Sequence, residues 1–328
     1  MRLREYLRCF PLTWIFAVVI IYFTWSKYCA GEIRFPASKL SWKTRNGTVN
    51  KQKEPLDRKE GHIWFLETTY QHKLSARQAC SIESACRHND DFIVHLLSTG
   101  NISSSECAYH RLISKFPNFH SSELNASVEL AETPLAPLHA KGGALHRSPH
   151  AVSHLSDFLR YSVLWKRGGV YLDTDVLVLK SLKGMRNSAF YESNVTVASS
   201  VLIFEKHHPV LKILTDKCAR AYDPNDWITC GPRIMSLLPS DAEFFNYHVR
   251  IFKESLFFAV PWHKWEYFFN SKMAPEVLRM VNRSYGVHFW NNFSKNRRIV
   301  HGSRSAMDVL ARRHCPEVYR LASSDGYL

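Results

Sequence analysis

Residues 156–182 read SDFLRYSVLWKRGGVYLDTDVLVLKSL, and this stretch is the most informative part of the chain. Apolar residues recur at helical spacing through 152–166, which predicts a helix, and Gly168 and Gly169 follow where a helix would end. Two short runs of β-forming residues come next, at 170–172 and 176–179. The sequence therefore predicts a helix that leads into two strands.

Two carboxylates, Asp173 and Asp175, stand between these strands. They need a partner there, because burying an unpaired charge is very costly. On an extended chain Tyr171, Asp173 and Asp175 would point to the same side. A divalent cation would neutralise the two carboxylates and would in turn bind phosphate oxygens. We therefore expect a cation site that serves a phosphorylated ligand.

The helix before the strands carries a polar face. Asp157, Arg160 and Tyr161 stand at positions i, i+3 and i+4, so they lie on one side of the helix. They are expected to face the acidic pair. The alternative is a surface ion pair between Asp157 and Arg160, with the two later carboxylates in a solvated turn.

The rest of the chain indicates one α/β domain with a parallel sheet. Apolar β-formers at 62–66 and 92–97 alternate with helical patterns at 75–87 and 109–115. Residues 118–150 are rich in loop-forming Pro and Gly, and either shape an acceptor groove or form plain surface.

An N-terminal apolar run precedes this domain. Residues 10–25, FPLTWIFAVVIIYFTW, contain no charge, and Arg8 and Lys27 can snorkel at the two ends. Three arginines against one glutamate come before the run, which keeps the N-terminus in the cytosol. A short span favours the early secretory pathway. We predict a cytoplasmic tail, a transmembrane signal-anchor, a stem and a lumenal domain at 1–8, 9–26, 27–60 and 61–328; the alternative is a cleaved signal peptide.

Sequons and cysteines agree with a lumenal domain. Six Asn-X-Ser/Thr sequons all follow the apolar run: Asn46, Asn101, Asn125, Asn194, Asn282 and Asn292. Six of the eight cysteines lie well beyond it: Cys80, Cys86, Cys107, Cys218, Cys230 and Cys315. We expect disulfides, among 15 possible pairings, rather than zinc, because no two of these cysteines have the spacing that zinc sites favour.

Charge does not indicate a nucleic-acid-binding protein. The 328 residues carry a net charge of +14, but residues 1–60 hold 12 Lys and Arg against 5 Asp and Glu and so account for +7 of it. The remaining chain is mildly basic, which suits an anionic substrate such as a diphosphate. No basic helix interleaved with aromatic residues is present, so we expect no nucleic-acid partner.

The segment 156–182 resembles the sugar-binding segment of the α1,4-glycosyltransferase family. Five further motifs are similar to that family: Phe65-Leu66-Glu67-Thr68, Cys80-Ser81-Ile82-Glu83-Ser84-Ala85, Val260-Pro261-Trp262, Tyr285-Gly286-Val287-His288-Phe289-Trp290-Asn291 and His314-Cys315-Pro316. The resemblance covers about residues 61–328. It implies a GT-A fold, which is a Rossmann-like α/β domain, with a UDP-sugar as donor and Mn²⁺ as the metal.

The resemblance also implies roles for single residues. Asp173 and Asp175 would form the catalytic pair, with Asp173 on the donor's sugar or ribose and Asp175 on the metal. His288 would be a second metal ligand, with a plain core or surface histidine as the alternative. The remaining donor-binding residues would be Asp157 and Arg160 on the sugar hydroxyls, Tyr171 as a wall of the pocket, and Glu67 and Thr68 near the uridine.

The reaction implied is transfer of galactose or an N-acetylhexosamine in α1,4 linkage, with retention. The acceptor would be a galactose-terminated glycosphingolipid or glycan, and the enzyme would be a single-pass type II protein of the Golgi membrane. A catalytically impaired, sugar-nucleotide-binding pseudoenzyme of the same fold is the alternative. A haloacid-dehalogenase-type phosphatase is a third reading of Asp-Thr-Asp, although Leu177 stands where that motif expects Thr.

Four positions depart from the family pattern. Ser199-Ser200 stands where an Asn is usual, Cys230 precedes Gly231-Pro232 in place of a polar residue, and Leu237 replaces an Arg. These changes put turnover or acceptor choice in question. Lys115 occupies a family cysteine position, from which we expect Cys80 to pair with Cys107 instead.

Overall fold

The computed structural model describes residues 61–328. The predicted tail, signal-anchor and stem lie outside the described residues. Among the helices that the structure describes, none has the length and apolar character needed to cross a membrane.

Strands and helices alternate through the first half of the described chain, as the sequence predicts. The strands are β1 Gly61–Glu67, β2 Phe92–Ser98, β3 Phe119–Glu123, β4 Gly169–Leu172, β5 Val176–Val178, β6 Ser188–Phe190, β7 Val201–Phe204, β8 Arg250–Phe252 and β9 Gly286–His288. The α-helices are α1 Ala76–His88, α2 Ala108–Ile113, α3 Ala126–Leu130, α4 Ala136–His139, α5 Ala151–Arg167, α6 Pro209–Ala221, α7 Pro232–Met235, α8 Ala274–Met280, α9 Asn291–Ser294, α10 Ala306–His314 and α11 Pro316–Ala322. Short 3-10 helices occur at Ala144–Arg147, Ala242–Tyr247, Glu254–Leu256, Trp262–Phe269, Ser271–Met273, Val281–Arg283 and Ser323–Asp325.

Seven of these strands form a mixed sheet in the order β3-β2-β1-β4-β7-β6-β8. The β1, β2, β3 and β4 strands run parallel, whereas β7 is antiparallel to β4 and to β6. The sequence pattern predicts the parallel half correctly. Only short connections without a helix join β5 to β6 and β6 to β7, so β6 and β7 pair antiparallel.

The sheet separates two apolar cores. Alternate residues of β1 point to opposite faces, so Ile63 and Phe65 join one core and Trp64 and Leu66 the other. Helices α1, α10 and α11 cover the first face, and α3, α5 and α6 cover the second. Four leucines of the loop-rich segment 118–150 are buried in this second core together with residues of α5: Leu124, Leu130, Leu135 and Leu145.

Local sequence sets one end of each of the two long helices near the site. Ser75 caps α1 in a reciprocal capping box with Gln78. After α5 the chain continues through Gly168 and Gly169 at φ +68° and +108°. A side chain at Gly168 would also meet the Lys206 backbone at 2.5 Å, so this link to β4 requires glycine.

The disulfides correct one expectation. Cys80 pairs with Cys315 rather than with Cys107, because α1 packs against α10 and α11 and brings the Cα atoms of Cys80 and Cys315 to 5.1 Å. The Cys107 sulfur instead caps α2, accepting a hydrogen bond from the His110 amide at 3.4 Å. A second disulfide joins Cys218 and Cys230.

Candidate active site

The Asp-Thr-Asp motif forms a turn and not the extended segment that the sequence analysis expects. A hydrogen bond from the Val176 amide to the Asp173 carbonyl, 3.0 Å long, closes the turn. The physical reason is a change of sheet. Strand β4 ends where its pairing with β7 ends, at Leu172 opposite Val201, and β5 belongs to a separate two-stranded sheet with β9.

The β5–β9 pairing brings His288 to the acidic turn. Val176 lies directly opposite His288, and the Phe289 amide donates to the Asp175 carbonyl at 3.1 Å. His288 Nε2 therefore lies 3.1 Å from Asp175 Oδ1. Ligand atoms of Asp173, Asp175 and His288 all come within 4.8 Å of one another.

These three side chains fit a divalent cation. Asp175 and His288 would hold such an ion, since they bring a carboxylate oxygen and an imidazole nitrogen to 3.1 Å from each other. The Nδ1 atom of His288 is buried and has no hydrogen-bond partner among the described residues. Carboxylate oxygens with one imidazole suit Mn²⁺ and similar ions.

Electrostatics keeps Asp175 in its ligating form. Burial alone would raise the pKa of Asp175, but His288 and the Asn291 amide, which donates to Oδ2 at 2.7 Å, hold that pKa below its ordinary value. Burial lowers the pKa of His288, but the Asp175 carboxylate raises it by more, so the pKa of His288 lies above its ordinary value. The Asp175 carboxylate is therefore held charged beside His288, whose imidazole would lose its proton on binding a cation.

Arg160 connects the helix face to the acidic turn, as predicted. Its Nη2 lies 3.2 Å from Asp157 Oδ1 and 3.3 Å from Asp173 Oδ1, and its guanidinium stacks 4.6 Å above the ring of Tyr171. Its Nη1 donates to the Ser199 carbonyl at 2.7 Å, and its Nη2 also donates to the Ser156 hydroxyl at 3.0 Å. All of these groups are buried or half-buried, so the alternative of a surface ion pair is wrong. Because the N–H groups of the guanidinium already bind protein atoms, the observed role of Arg160 is to position Asp157 and Asp173.

Tyr171 and Asp157 complete this network. The Tyr171 hydroxyl donates to Asp173 Oδ1 and contacts the Ser156 hydroxyl at 3.2 Å. Burial raises the pKa of Asp157 to about 6, against the opposing effect of Arg160. The protonation of Asp157 near neutral pH therefore depends on how far the site excludes water.

Glu67 and Thr68 end β1 at the edge of the same cavity. The Glu67 carboxylate accepts hydrogen bonds from the Thr69 amide at 2.6 Å and from the side chain of Gln78 on α1. The Thr68 hydroxyl donates to the Val152 carbonyl at 3.2 Å, at the start of α5. Their assignment to the uridine end stays a prediction.

The departures from the family pattern have structural roles here. Ser199 binds Arg160, as above, and the Cys230 carbonyl accepts a hydrogen bond from Tyr161 at 2.6 Å. Leu237 is half-buried against the core under α5. A Cβ on Gly231 would lie 2.9 Å from both Asp157 Oδ2 and Ser199 Oγ, so only glycine fits beside the network. The Ser200 hydroxyl is buried without a partner among the described residues.

Two residues of the site escape sequence reasoning. Glu192 lies after β6 and lines the cavity with Asp173 and His288, and burial raises the pKa of its carboxyl. Arg77 on α1 donates to the Ser294 carbonyl at 2.9 Å and so holds the segment after His288. Neither follows a motif, because only the tertiary fold brings them to the site.

The predicted site residues line one cavity of about 750 Å³. It contains Glu67, Thr68, Asp157, Arg160, Asp173, Asp175 and His288. Tyr171 lies behind them, fully buried. This size suits a ligand with several polar groups. A mixed α/β sheet with an acidic turn after its central strand, opening on such a cavity, defines a GT-A-like, sugar-nucleotide-dependent transferase.

Comparison with known proteins matches this class to a family. Residues 75–196 match the glycosyltransferase sugar-binding region containing the DXD motif, and residues 203–322 match the alpha 1,4-glycosyltransferase conserved region. Lactosylceramide 4-alpha-galactosyltransferase of Rattus norvegicus is 30% identical over 276 residues, which cover 79% of this chain and 75% of that protein. Alpha-1,4-N-acetylglucosaminyltransferase of Homo sapiens is 25% identical over 278 residues, which cover 79% of both chains. The chain belongs to the α1,4-glycosyltransferase family and is a hexosyltransferase.

Solved structures with related folds are more distant. PaToxG glycosyltransferase is 12% identical, with a TM-score of 0.46 over 80% of this chain and 86% of that chain. The galactosyltransferase LgtC in complex with donor and acceptor sugar analogs is 16% identical, with a TM-score of 0.35 over 69% of this chain and 86% of that chain.

Membership of this family implies a nucleotide-sugar donor, a divalent cation and a glycan or glycolipid acceptor. It also excludes the phosphatase reading of Asp-Thr-Asp. Leu177 agrees with this, because it is fully buried in β5 and offers no hydroxyl to the site.

Proposed function

We propose that the chain transfers galactose or an N-acetylhexosamine from a UDP-sugar, in α1,4 linkage and with retention, to a galactose-terminated glycosphingolipid or glycan. The observation that carries the proposal is the Asp173, Asp175 and His288 cluster in the 750 Å³ cavity. The galactosyl and N-acetylglucosaminyl groups in the names of the two relatives support this choice of donor sugars, and lactosylceramide in one of those names supports the acceptor.

Two groups would hold the cation, and Mn²⁺ is the ion that we propose. Asp175 and His288 supply a carboxylate oxygen and an imidazole nitrogen at 3.1 Å from each other. The bound cation would stabilise negative charge on the departing diphosphate.

The surrounding residues would orient the donor. Arg160 fixes Asp157 and Asp173 through distances of 3.2 and 3.3 Å, so two carboxylate groups face the cavity in defined positions. The buried Ser200 hydroxyl has no partner among the described residues, which leaves it available to a sugar hydroxyl. Preorganised polar groups of this kind lower the cost of positioning the donor.

We also propose a single-pass type II arrangement in the Golgi membrane, with residues 9–26 as the signal-anchor and residues 61–328 in the lumen. The charge-free run at 10–25 supports it. The disulfides Cys80–Cys315 and Cys218–Cys230 agree with an oxidising compartment.

The test is a donor panel. The full chain in detergent is given Mn²⁺, a series of UDP-sugars and lactosylceramide, and both transfer and donor hydrolysis are measured. Metal-dependent turnover of one donor is expected and identifies the sugar. UDP binding without turnover of any donor would overturn the proposal in favour of a pseudoenzyme.

A further inference from the structure

Three aromatic side chains line the wall of the same cavity yet remain open to solvent. Trp227 is 39% exposed, Trp262 48% and Phe293 39%. Apolar surface of this extent is costly to expose in one place, and grouped exposure of this kind marks a binding surface. We call these three residues the aromatic platform.

The rings contact one another and do not stand alone. Phe293 stacks on Trp262 with centroids 5.7 Å apart and planes 25° apart. The edge of Trp227 meets Phe293 at 6.4 Å and 84°. The platform is therefore one continuous surface built from three separate segments of the chain.

The platform is fixed relative to the cation cluster. Trp290 lies between His288 and Phe293, and its backbone takes the left-handed conformation, with φ +55°. This turn aims the Asn291 amide at Asp175 and lets the Trp290 indole donate to the Val260 carbonyl at 2.9 Å. Val260 precedes Pro261 and Trp262 directly, so one hydrogen bond ties the Trp262 segment to the His288 segment.

The Trp227 loop is fixed as well. The disulfide between Cys218 and Cys230 closes the loop, and Asp226 forms an ion pair with Arg233 at 2.7 Å. The Asp226 carbonyl accepts a hydrogen bond from His154 on α5 at 3.1 Å. A rigid platform loses little conformational entropy when a ligand binds.

The chemistry of the platform suits a sugar ring. A pyranose such as galactose has one face of C–H groups that packs on aromatic rings and an edge of hydroxyls that needs polar partners. Asn291 and Lys295 line the cavity close to the platform and supply such partners. Carboxylates that face the donor lie in the same cavity, so a ring on the platform would be near the donor.

We propose that the aromatic platform of Trp227, Trp262 and Phe293 is the acceptor subsite, which binds the apolar face of the acceptor's terminal neutral hexopyranose. This inference rests on the proposed transferase function and adds where the acceptor binds.

The experiment compares Trp262→Ala and Phe293→Ala with Trp262→Phe in the full chain. Phe245→Ala is the matched control, since Phe245 is an aromatic residue 59% exposed and does not line the cavity. Asn292 is a sequon beside the platform, so each protein is treated with N-glycosidase first. We would measure four quantities for each protein: the KM for lactosylceramide, the KM for the donor, donor hydrolysis without acceptor, and UDP affinity.

The alanine variants are expected to raise the acceptor KM at least about tenfold, whereas donor hydrolysis and UDP affinity change less than about twofold. Trp262→Phe is expected to keep most of the acceptor affinity, and Phe245→Ala all of it. An unchanged acceptor KM overturns the proposal. A matching loss of UDP affinity also overturns it, since the platform would then bind the uracil ring.

A second readout separates this proposal from the proposed function. If the wild-type chain turns over no donor, the transferase proposal fails, and lactose binding is then measured by tryptophan fluorescence. If the wild type binds lactose and Trp262→Ala does not, the platform is still a sugar-binding site. Absence of lactose binding would overturn the platform.

Discussion

At the scale of single residues, Arg160 positions the polar groups on the side of the cavity that we propose binds the donor. Its guanidinium binds Asp157, Asp173 and Ser199 in a buried setting, and it stacks on Tyr171. Removing one partner from such a network leaves the others buried and unpaired, which costs far more than an exposed ion pair would. Small changes around Arg160 should therefore have large effects on donor binding.

Gly231 offers a direct check of this network. In Gly231→Ala the added Cβ would lie 2.9 Å from the Asp157 carboxylate and from the Ser199 hydroxyl, so both must move. We expect the donor KM to rise about tenfold, because displacements of an ångström in a positioned site are costly. Steady-state kinetics with varied donor measures it. Gly184→Ala is the control: at φ +82° an alanine is strained, but its Cβ would meet nothing within 4 Å, so stability should fall while the donor KM stays at the wild-type value. An equal rise of the donor KM in both variants would contradict the account.

Asp157 gives a prediction on pH. Burial raises its pKa from 3.8 to about 6. A carboxyl group with a raised native pKa stabilises the fold at low pH, and that contribution is lost as the pH rises from about 4 to about 6. Asparagine does not titrate, so Asp157→Asn lacks this loss. Between pH 4.5 and pH 7.5, the free energy of unfolding of the variant should therefore rise by about 2 kcal/mol relative to that of the wild type.

Denaturant unfolding without donor or metal at the two pH values measures this difference. A stability difference between Asp157→Asn and wild type that does not change with pH would show that the Asp157 carboxyl is not perturbed by burial.

At the scale of elements, the β5–β9 pair and the Cys218–Cys230 loop place the two sides of the cavity. Strand β9 carries His288 to Asp175 and leads on into Phe293, so the cation cluster and the aromatic platform share one short segment. The disulfide fixes Gly231 beside Asp157. Strand β9 thus connects the cation cluster to Phe293, and the disulfide loop connects Gly231 to Trp227.

Removal of the shorter disulfide tests this link. In the double variant Cys218→Ala with Cys230→Ala, loss of a cross-link that spans 12 residues should cost about 3 kcal/mol of unfolding free energy. The donor KM should also rise, because Gly231 is no longer fixed next to Asp157. Urea unfolding and kinetics measure the two effects.

Cys86→Ala is the matched control for this experiment. Cys86 is a buried cysteine outside any disulfide, so its variant removes a thiol but no cross-link. If the double variant loses no more stability than this control, the cross-link does not hold the loop.

At the scale of the whole molecule, much of the architecture follows from sequence periodicity, and the rest depends on contacts that sequence does not encode locally. The helix before Gly168 and the strands of the parallel half have regular apolar patterns, so their prediction is confirmed. The pairing of Cys80 with Cys315 spans 235 residues, and only the packing of α1 on α11 decides it. The turn at Asp173 likewise depends on where β4 loses its partner, which is a property of the assembled sheet.

The site divides in the same way. Asp157 and Arg160 are recognisable because helical spacing alone places them on one face. Glu192 and the aromatic platform come from segments far apart in the chain, with exposed or irregular surroundings and no periodic signal. Their roles appear only after folding brings them to one cavity.

The lumenal arrangement makes its own prediction. Five of the six sequon asparagines lie in the described part of the chain, and all five are exposed: Asn101, Asn125, Asn194, Asn282 and Asn292. We expect the full chain, expressed in secretory cells, to lose mass on N-glycosidase treatment, whereas the same chain from a bacterial cytosol keeps its mass. Equal masses before and after treatment of the secretory-cell protein would remove this support for the topology.

The measurement that tests the central claim most directly is donor turnover as a function of Mn²⁺ in wild type, Asp175→Asn and the control Asp90→Asn, which changes an exposed carboxylate away from the cavity. Because Asp175 and His288 would hold the cation, Asp175→Asn should lose at least about a hundredfold in metal-dependent turnover while its unfolding midpoint stays close to wild type. Asp90→Asn should behave as wild type. Full metal-dependent activity in Asp175→Asn would contradict the assignment of this cluster as the catalytic metal site.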